Sequence, residues 1–126
     1  ARCLGGDWSA TALAAARTDC AAAGVSVGLA RWDASCLPLP AAAADAALCN
    51  LPYGKRAEFA AGADPATVLA ELARVLRPGG RAVILSADTH RVEAFLQRPQ
   101  AALLLERRLR VHLRGVDPAM YVLKRR

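Results

Sequence analysis

The chain has 126 residues, 55% of them hydrophobic and only 5% aromatic, with a formal net charge of +6. That length fits one domain around one core, and the composition excludes a disordered segment. No apolar run is long enough to cross a membrane as a helix, and the positive balance suits a polyanionic partner such as a nucleic acid.

The chain opens with Ala1-Arg2-Cys3-Leu4 and enters a strand-like segment directly. No signal peptide is read, and the cytoplasm is the expected compartment. An alanine stands first, with no linker or cap ahead of the strand, so the native protein is expected to extend further upstream.

Arg2 to Asp7 reads as a short strand ending in Gly5-Gly6-Asp7. Ser9 or Thr11 can cap a helix that runs to about Ala23, and Gly24 is a natural stop. Ala12, Leu13, Ala16 and Cys20 give that helix a face of small residues, suited to lying close on a sheet. Val25 to Arg31 reads as a strand, Leu37 to Ala44 as a proline-broken loop, and Ala46 to Cys49 as a short buried strand flanked by Asp45 and Asn50. Asp64-Pro65 marks a helix start, with Asp as N-cap and Pro in the first turn. Val68, Leu69, Leu72, Val75 and Leu76 then recur at helical spacing. Arg77-Pro78-Gly79-Gly80 is expected to end the helix and turn the chain into a buried strand, Ala82 to Ser86. A short helix follows from about Thr89 to Leu96. Leu103 to Arg114 and Met120 to Leu123 read as two strands of an antiparallel hairpin, with Gly115 to Pro118 as the turn. The order β-α-β-β-α-β-α-β-β predicts an α/β fold with a mostly parallel sheet and an antiparallel end.

Four cysteines are present, Cys3, Cys20, Cys36 and Cys49. None forms a C-x-x-C pair, and no histidine lies at ligand spacing, so reduced thiols and no metal site are expected. His90 and His112 lack any partner pattern.

The residues with chemical potential sit where strands end, and ligands of open α/β sheets bind at the carboxyl ends of strands. Asn50-Leu51-Pro52-Tyr53-Gly54 directly follows a strand. An exocyclic amine on a nucleobase is a poor nucleophile, because its lone pair is delocalised into the ring. Two acceptors can orient it: the Asn50 side-chain carbonyl and the backbone carbonyl of Leu51 or Pro52. Pro52 stiffens the loop, and Tyr53 offers a face for stacking the base. The same segment is also readable as a plain turn with a tyrosine over the core. Asp7 can accept from both ribose hydroxyls of an adenosine, or simply lead into the helix. Asp33, with Ala34 beside it, can accept from an adenine amino group, or close a loop turn. Trp8 can pack against the adenine or serve as a partly buried packing residue. Lys55 and Arg56 follow the Asn50 loop and are candidate phosphate contacts. Arg108, Arg110 and Arg114 are either further contacts or a solvated basic face.

The string Asp33-Ala34, Leu37-Pro38-Leu39, Asp45 and Asn50 resembles motifs III and IV of S-adenosylmethionine-dependent methyltransferases. Leu72 to Gly80 resembles the helix and turn before their fifth strand. Asn50-Leu51-Pro52-Tyr53-Gly54-Lys55-Arg56 resembles the Asn/Asp-x-Pro-Phe/Tyr-Gly-Lys/Arg-Arg segment of the THUMP-containing tRNA guanine-N2 methyltransferases. The Arg110 to Leu123 ending is similar to their closing hairpin. The family's commoner form has a second proline where Leu51 stands, a change that keeps the backbone carbonyl. The resemblance implies a Rossmann-like methyltransferase sheet with a C-terminal antiparallel hairpin, here without its first strand, its glycine-rich loop or a THUMP domain. It implies S-adenosylmethionine as cofactor and guanine N2 of tRNA as target, with Asp7 on the ribose, Asp33 on the adenine and Asn50 to Tyr53 on the amine. The remaining alternatives are an rRNA guanine or DNA adenine amino methyltransferase, and a non-catalytic remnant of the fold.

Overall fold

The computed structural model describes residues 2–52 and 64–126. The elements follow the expected order: β1 (Leu4–Asp7), α1 (Ala10–Ala23), β2 (Gly28–Arg31), β3 (Ala44–Asn50), α2 (Pro65–Val75), β4 (Leu76–Ser86), α3 (Thr89–Leu96), β5 (Leu103–Arg110) and β6 (Ala119–Arg125).

The helices begin and end on local chemistry. Ser9 caps α1 by accepting from the Ala12 amide, and Gly24 closes it in the left-handed conformation at φ 66°, a backbone state glycine adopts without a Cβ clash. Asp64 and Thr67 form a reciprocal capping box at the start of α2, with the Thr67 amide donating to Asp64 Oδ1 at 2.8 Å and the Asp64 amide donating to Thr67 Oγ1 at 2.9 Å. These bonds satisfy amides that the first helical turn leaves without partners.

Among the described residues the strands form two sheets. β1 and β2 pair in parallel, and a four-stranded sheet runs β3-β4-β6-β5. β3 and β4 are parallel, whereas β6 is antiparallel to both of its neighbours. Among the described residues no ladder joins β1 to β3, so each keeps one unpaired edge.

The core lies between the four-stranded sheet and the two later helices. Val68, Leu69 and Leu72 of α2 and Val92 and Phe95 of α3 pack with Ala82, Ile84, Tyr121 and Leu123. Alternate residues of β4 and β6 point into this layer, as the two-residue period of a strand requires. Burying each of the larger side chains is worth about 1.5–3 kcal/mol.

The structure corrects three expectations. The segment read as a turn after α2 is extended from Leu76 onward: Leu76 pairs with Ala44, and the next ladder step joins Ala46 to Arg81. Residues 77–80 bulge out between these steps, with Gly79 at φ 79° and Gly80 placed so that a Cβ there would lie 3.0 Å from the Asp45 carbonyl oxygen. The strand read as buried, Ala46 to Cys49, is buried on one side only. Ala47 and Cys49 pack against the core, whereas Leu48 is 86% exposed on a face and edge that no other described residue covers. The strand expected to run to Arg114 ends at Arg110, and the hairpin continues as a narrower finger held by Val111–Pro118 and Leu113–Val116 backbone bonds.

Candidate active site

Parallel pairing puts the carboxyl ends of β1 and β2 side by side, and the β3 end completes a cleft with them. This cleft holds about 290 Å³ and is lined by Gly6 to Trp8, Trp32 to Ala34 and Leu48 to Pro52. Asp7, Trp8, Asp33, Ala34, Asn50, Leu51 and Pro52, all singled out from the sequence, therefore share one wall system. Tyr53, Lys55 and Arg56 lie outside the described residues. A second, more open depression of about 410 Å³ lies at the opposite ends of β1 and β2, around Cys3, Leu4 and Gly28. It lacks carboxylates and sits at the end of the strands where α/β folds do not place ligands.

Each carboxylate in the cleft is aimed by its own backbone turn. Asp7 Oδ1 accepts from the Ser9 amide at 2.7 Å. Asp33 Oδ1 accepts from the Ser35 hydroxyl at 2.7 Å and from the Ser35 amide at 2.8 Å. These two bonds, the hydroxyl first, hold the Asp33 carboxyl below the ordinary aspartate range, so it is ionised at neutral pH. Both donors fall on Oδ1, and Oδ2 remains an acceptor for a ligand hydroxyl or amine.

Asn50 is the last residue of β3 and lies at the cleft rim. The loop behind it is anchored: the Leu51 amide donates to the Leu85 carbonyl at 2.9 Å, and the Leu51 side chain is 1% exposed. The neighbouring Cys49 thiol is pushed up to about 11 by burial, so it stays protonated and supplies no thiolate nucleophile.

Trp32 is a cleft residue that sequence reasoning passed over. Its ring lies so close against Gly6 that a Cβ there would sit 2.0 Å from ring Cε2. The signal was present: an indole directly after a strand and beside Asp33, with glycines in the preceding strand. Trp8 is 53% exposed, with the Arg31 guanidinium 5.1 Å from its ring centroid and Arg31 Nε donating to its carbonyl at 2.8 Å. One face of this indole is thus occupied by Arg31.

Of the candidate phosphate contacts outside the loop, Arg108 is committed to the fold. Its Nε donates to Glu93 Oε1 at 2.8 Å and its guanidinium lies over Tyr121. No group of histidine, cysteine or carboxylate side chains among the described residues is arranged to hold a metal ion. No helix there is long and apolar enough to cross a membrane.

Two carboxylates beside an indole suit a nucleoside with free hydroxyls and an exocyclic amine. An exposed carboxamide at the rim suits a second amine approaching from outside.

Comparison with known proteins places this geometry in context. Residues 1–84 match a family model described as a methyltransferase domain. The U6 snRNA (guanine-N(2))-methyltransferase THUMPD2 of Mus musculus is 35% identical over 89 residues, which is 69% of this chain and 16% of the mouse protein. The Bos taurus counterpart gives the same identity over the same length. The chain thus spans about one sixth of the curated relatives it matches. Among solved structures, TrmN from Thermus thermophilus superposes with a TM-score of 0.79 at 25% identity, covering 99% of this chain and 36% of TrmN. The [4+2]-cyclase SpnF superposes with a TM-score of 0.72 at 16% identity, over 98% of this chain and 66% of its own, so the architecture alone does not define the reaction. Geranyl diphosphate methyltransferase, solved in complex with S-adenosylmethionine, superposes with a TM-score of 0.68 at 14% identity, over 99% of this chain and 69% of its own. The fold is Rossmann-like, and the chain belongs to the methyltransferase domain family.

Proposed function

We propose that the protein transfers the methyl group of S-adenosylmethionine to the exocyclic amino nitrogen of guanine in RNA, with tRNA as the substrate class. The observation that carries this reading is the cleft itself: Asp7, Asp33 and Asn50, from the ends of three strands, line one opening of nucleoside dimensions.

In this reading S-adenosylmethionine supplies an electrophilic methyl group. Asp7 accepts from the ribose hydroxyls through its free oxygen, as the acidic residue of dinucleotide folds does. Asp33 accepts from the adenine amine, and its ionisation strengthens that bond. The Trp32 ring forms an apolar wall for the adenine, and Ala34 leaves room beside it. Asn50 and the backbone carbonyl of Leu51 or Pro52 take the two N–H groups of the guanine amine. This turns its lone pair out of conjugation and along the line of transfer. Tyr53 stacks on the base and Lys55 and Arg56 meet the flanking phosphates. The proton released from nitrogen passes to solvent, so no strong base is needed. Orientation does most of the catalytic work.

Likeness to proteins named as guanine-N2 methyltransferases of U6 snRNA supports the base and the atom, and gives small nuclear RNA as a second reading of the substrate. Nucleoside mass spectrometry after incubating the complete native protein with tRNA, U6 snRNA, rRNA and DNA tests the proposal. N2-methylguanosine in tRNA supports it, and the same product in U6 snRNA alone moves the substrate class. N6-methyladenine in DNA rejects the guanine reading. Calorimetry with S-adenosylmethionine tests the non-catalytic remnant, which micromolar binding would reject.

A further inference from the structure

We infer that Glu71 and Arg74 of α2 are positioning residues for the cofactor. They grip the loop that follows Asp33 and thereby set the adenine-binding wall of the cleft against the wall that carries Asn50. This rests on the reading of Asp33 as the adenine acceptor.

The loop cannot hold itself. Pro38 and Pro40 donate no backbone hydrogen bond, and the carbonyls of Leu37 and Leu39 have no strand beside them. One guanidinium serves both: Arg74 Nη1 donates to the Leu39 carbonyl at 2.8 Å and Nη2 to the Leu37 carbonyl at 3.1 Å. Glu71 Oε1 accepts from the Leu37 amide at 2.7 Å. The two side chains also lock each other, with Arg74 Nε on Glu71 Oε2 at 2.8 Å and Nη2 on Oε1 at 2.6 Å. The backbone carbonyl of Arg74 takes the Ala42 amide at 2.9 Å, where Ala42 sits at φ 56°. α2 thus reads three successive points of the loop.

Two further observations give this grip its consequence. Asp33 is only four positions ahead of Leu37, and the Cys36 amide closes back on the Asp33 carbonyl at 3.0 Å. A shift at Leu37 therefore moves Asp33 directly. In addition, no ladder among the described residues connects β1 and β2 to the four-stranded sheet. Among the described residues, every hydrogen bond from the segment ahead of Ala44 to the later elements ends on Glu71 or Arg74. The cleft has its two walls on these two units, and these α2 bonds fix their spacing alongside the packing of Ala34 and Leu37 on the core.

Arg74 is not replaceable by lysine in this role. A lysine carries three donors on a compact head, whereas four oxygens spread around the planar guanidinium are served here. The test uses the complete native protein and two ligands, S-adenosylhomocysteine and S-inosylhomocysteine, which lacks the 6-amino group. Their affinities are measured by calorimetry for the wild type, Asp33→Ala, Glu71→Gln and Arg74→Lys, with circular dichroism melts to locate the folded range. The expected result is a wild-type preference for the adenosine ligand that Asp33→Ala abolishes. Glu71→Gln and Arg74→Lys, still folded, lose about tenfold in S-adenosylhomocysteine affinity and most of that preference. The inference is overturned if both α2 variants keep wild-type affinity and preference while Asp33→Ala loses them. It is also overturned if they weaken both ligands equally, as simple loosening of the fold would. If Asp33→Ala keeps the preference, the adenine reading of Asp33 fails and the inference fails with it.

Discussion

The Leu51 amide donates to the Leu85 carbonyl at 2.9 Å, extending the β3–β4 ladder one step past Asn50. The chain is therefore still held as a strand when it leaves Asn50, and the Leu51 side chain at this step is fully buried. Truncation of this anchor, Leu51→Ala, should cost about 2–5 kcal/mol, the range for a buried leucine whose cavity does not collapse. Chemical denaturation measures it. A loss below about 0.5 kcal/mol, typical of a surface change, would show that the loop is not anchored through this side chain.

Gly6 and Trp32 make a second close pair. A Cβ at Gly6 would fall within the indole ring, so Gly6→Ala must displace Trp32 from the cleft wall. The expected cost is about 1–3 kcal/mol of stability, as for overpacking in general, together with a changed near-ultraviolet signal from tryptophan. Unaltered melting and tryptophan spectra would contradict this packing.

Tyr121 and Arg108 converge on one oxygen. The Tyr121 hydroxyl donates to Glu93 Oε1 at 3.0 Å and Arg108 Nε donates to the same atom at 2.8 Å. Both lower the Glu93 carboxyl below the ordinary glutamate range, the tyrosine bond first. A carboxyl depressed in the folded state contributes stability that is present above its unfolded value and lost as pH falls through the folded one. Tyr121→Phe should therefore cost about 1 kcal/mol at neutral pH, and the gap to wild type should close as pH drops below the ordinary carboxylate range. A gap that persists at acid pH would place the effect in packing rather than in this bond.

The hairpin finger beyond the sheet offers a test of the RNA reading. Leu51 and Ser86 follow the Asn50–Leu85 step, and Ser86, Ala119 and Arg110 are level across adjacent strands. The finger carrying Arg110 and Arg114 thus rises from the same rim as the Asn50 loop. Charge reversal of both arginines should lower RNA affinity and reduce the salt slope of binding by about 2, one for each phosphate no longer neutralised. An unchanged slope would assign both residues to solvent.

Much of the architecture was legible because its signals are local. Ser9, Gly24 and Asp64-Pro65 mark helix ends by satisfying or sparing backbone groups within a few residues, and the structure uses each of them. What was missed depends on partners far away in sequence. Arg2, Cys3 and Val25 look like strand residues, but the ladder begins only where Leu4 meets Gly28. Leu76 looks like the end of a helix until Ala44 pairs with it. Glu71 and Arg74 read as an ordinary i, i+3 surface pair, and their attachment to Leu37 and Leu39 emerges only when the loop folds against α2. Asp7, Asp33 and Asn50 were legible as candidates because strand ends are where α/β folds keep their chemistry. Trp32 carried the same strand-end signal, but its place in the cleft wall follows from its packing on Gly6 of the neighbouring strand.

The orientation of the amine by Asn50 is the centre of the account, and one comparison tests it most directly. Turnover on RNA and S-adenosylmethionine affinity are measured side by side for the wild type and Asn50→Ala in the complete native protein. A fall in turnover of about a hundredfold or more, the scale of a misplaced reacting group, with cofactor affinity largely retained, is the predicted result. Turnover equal to wild type would contradict it.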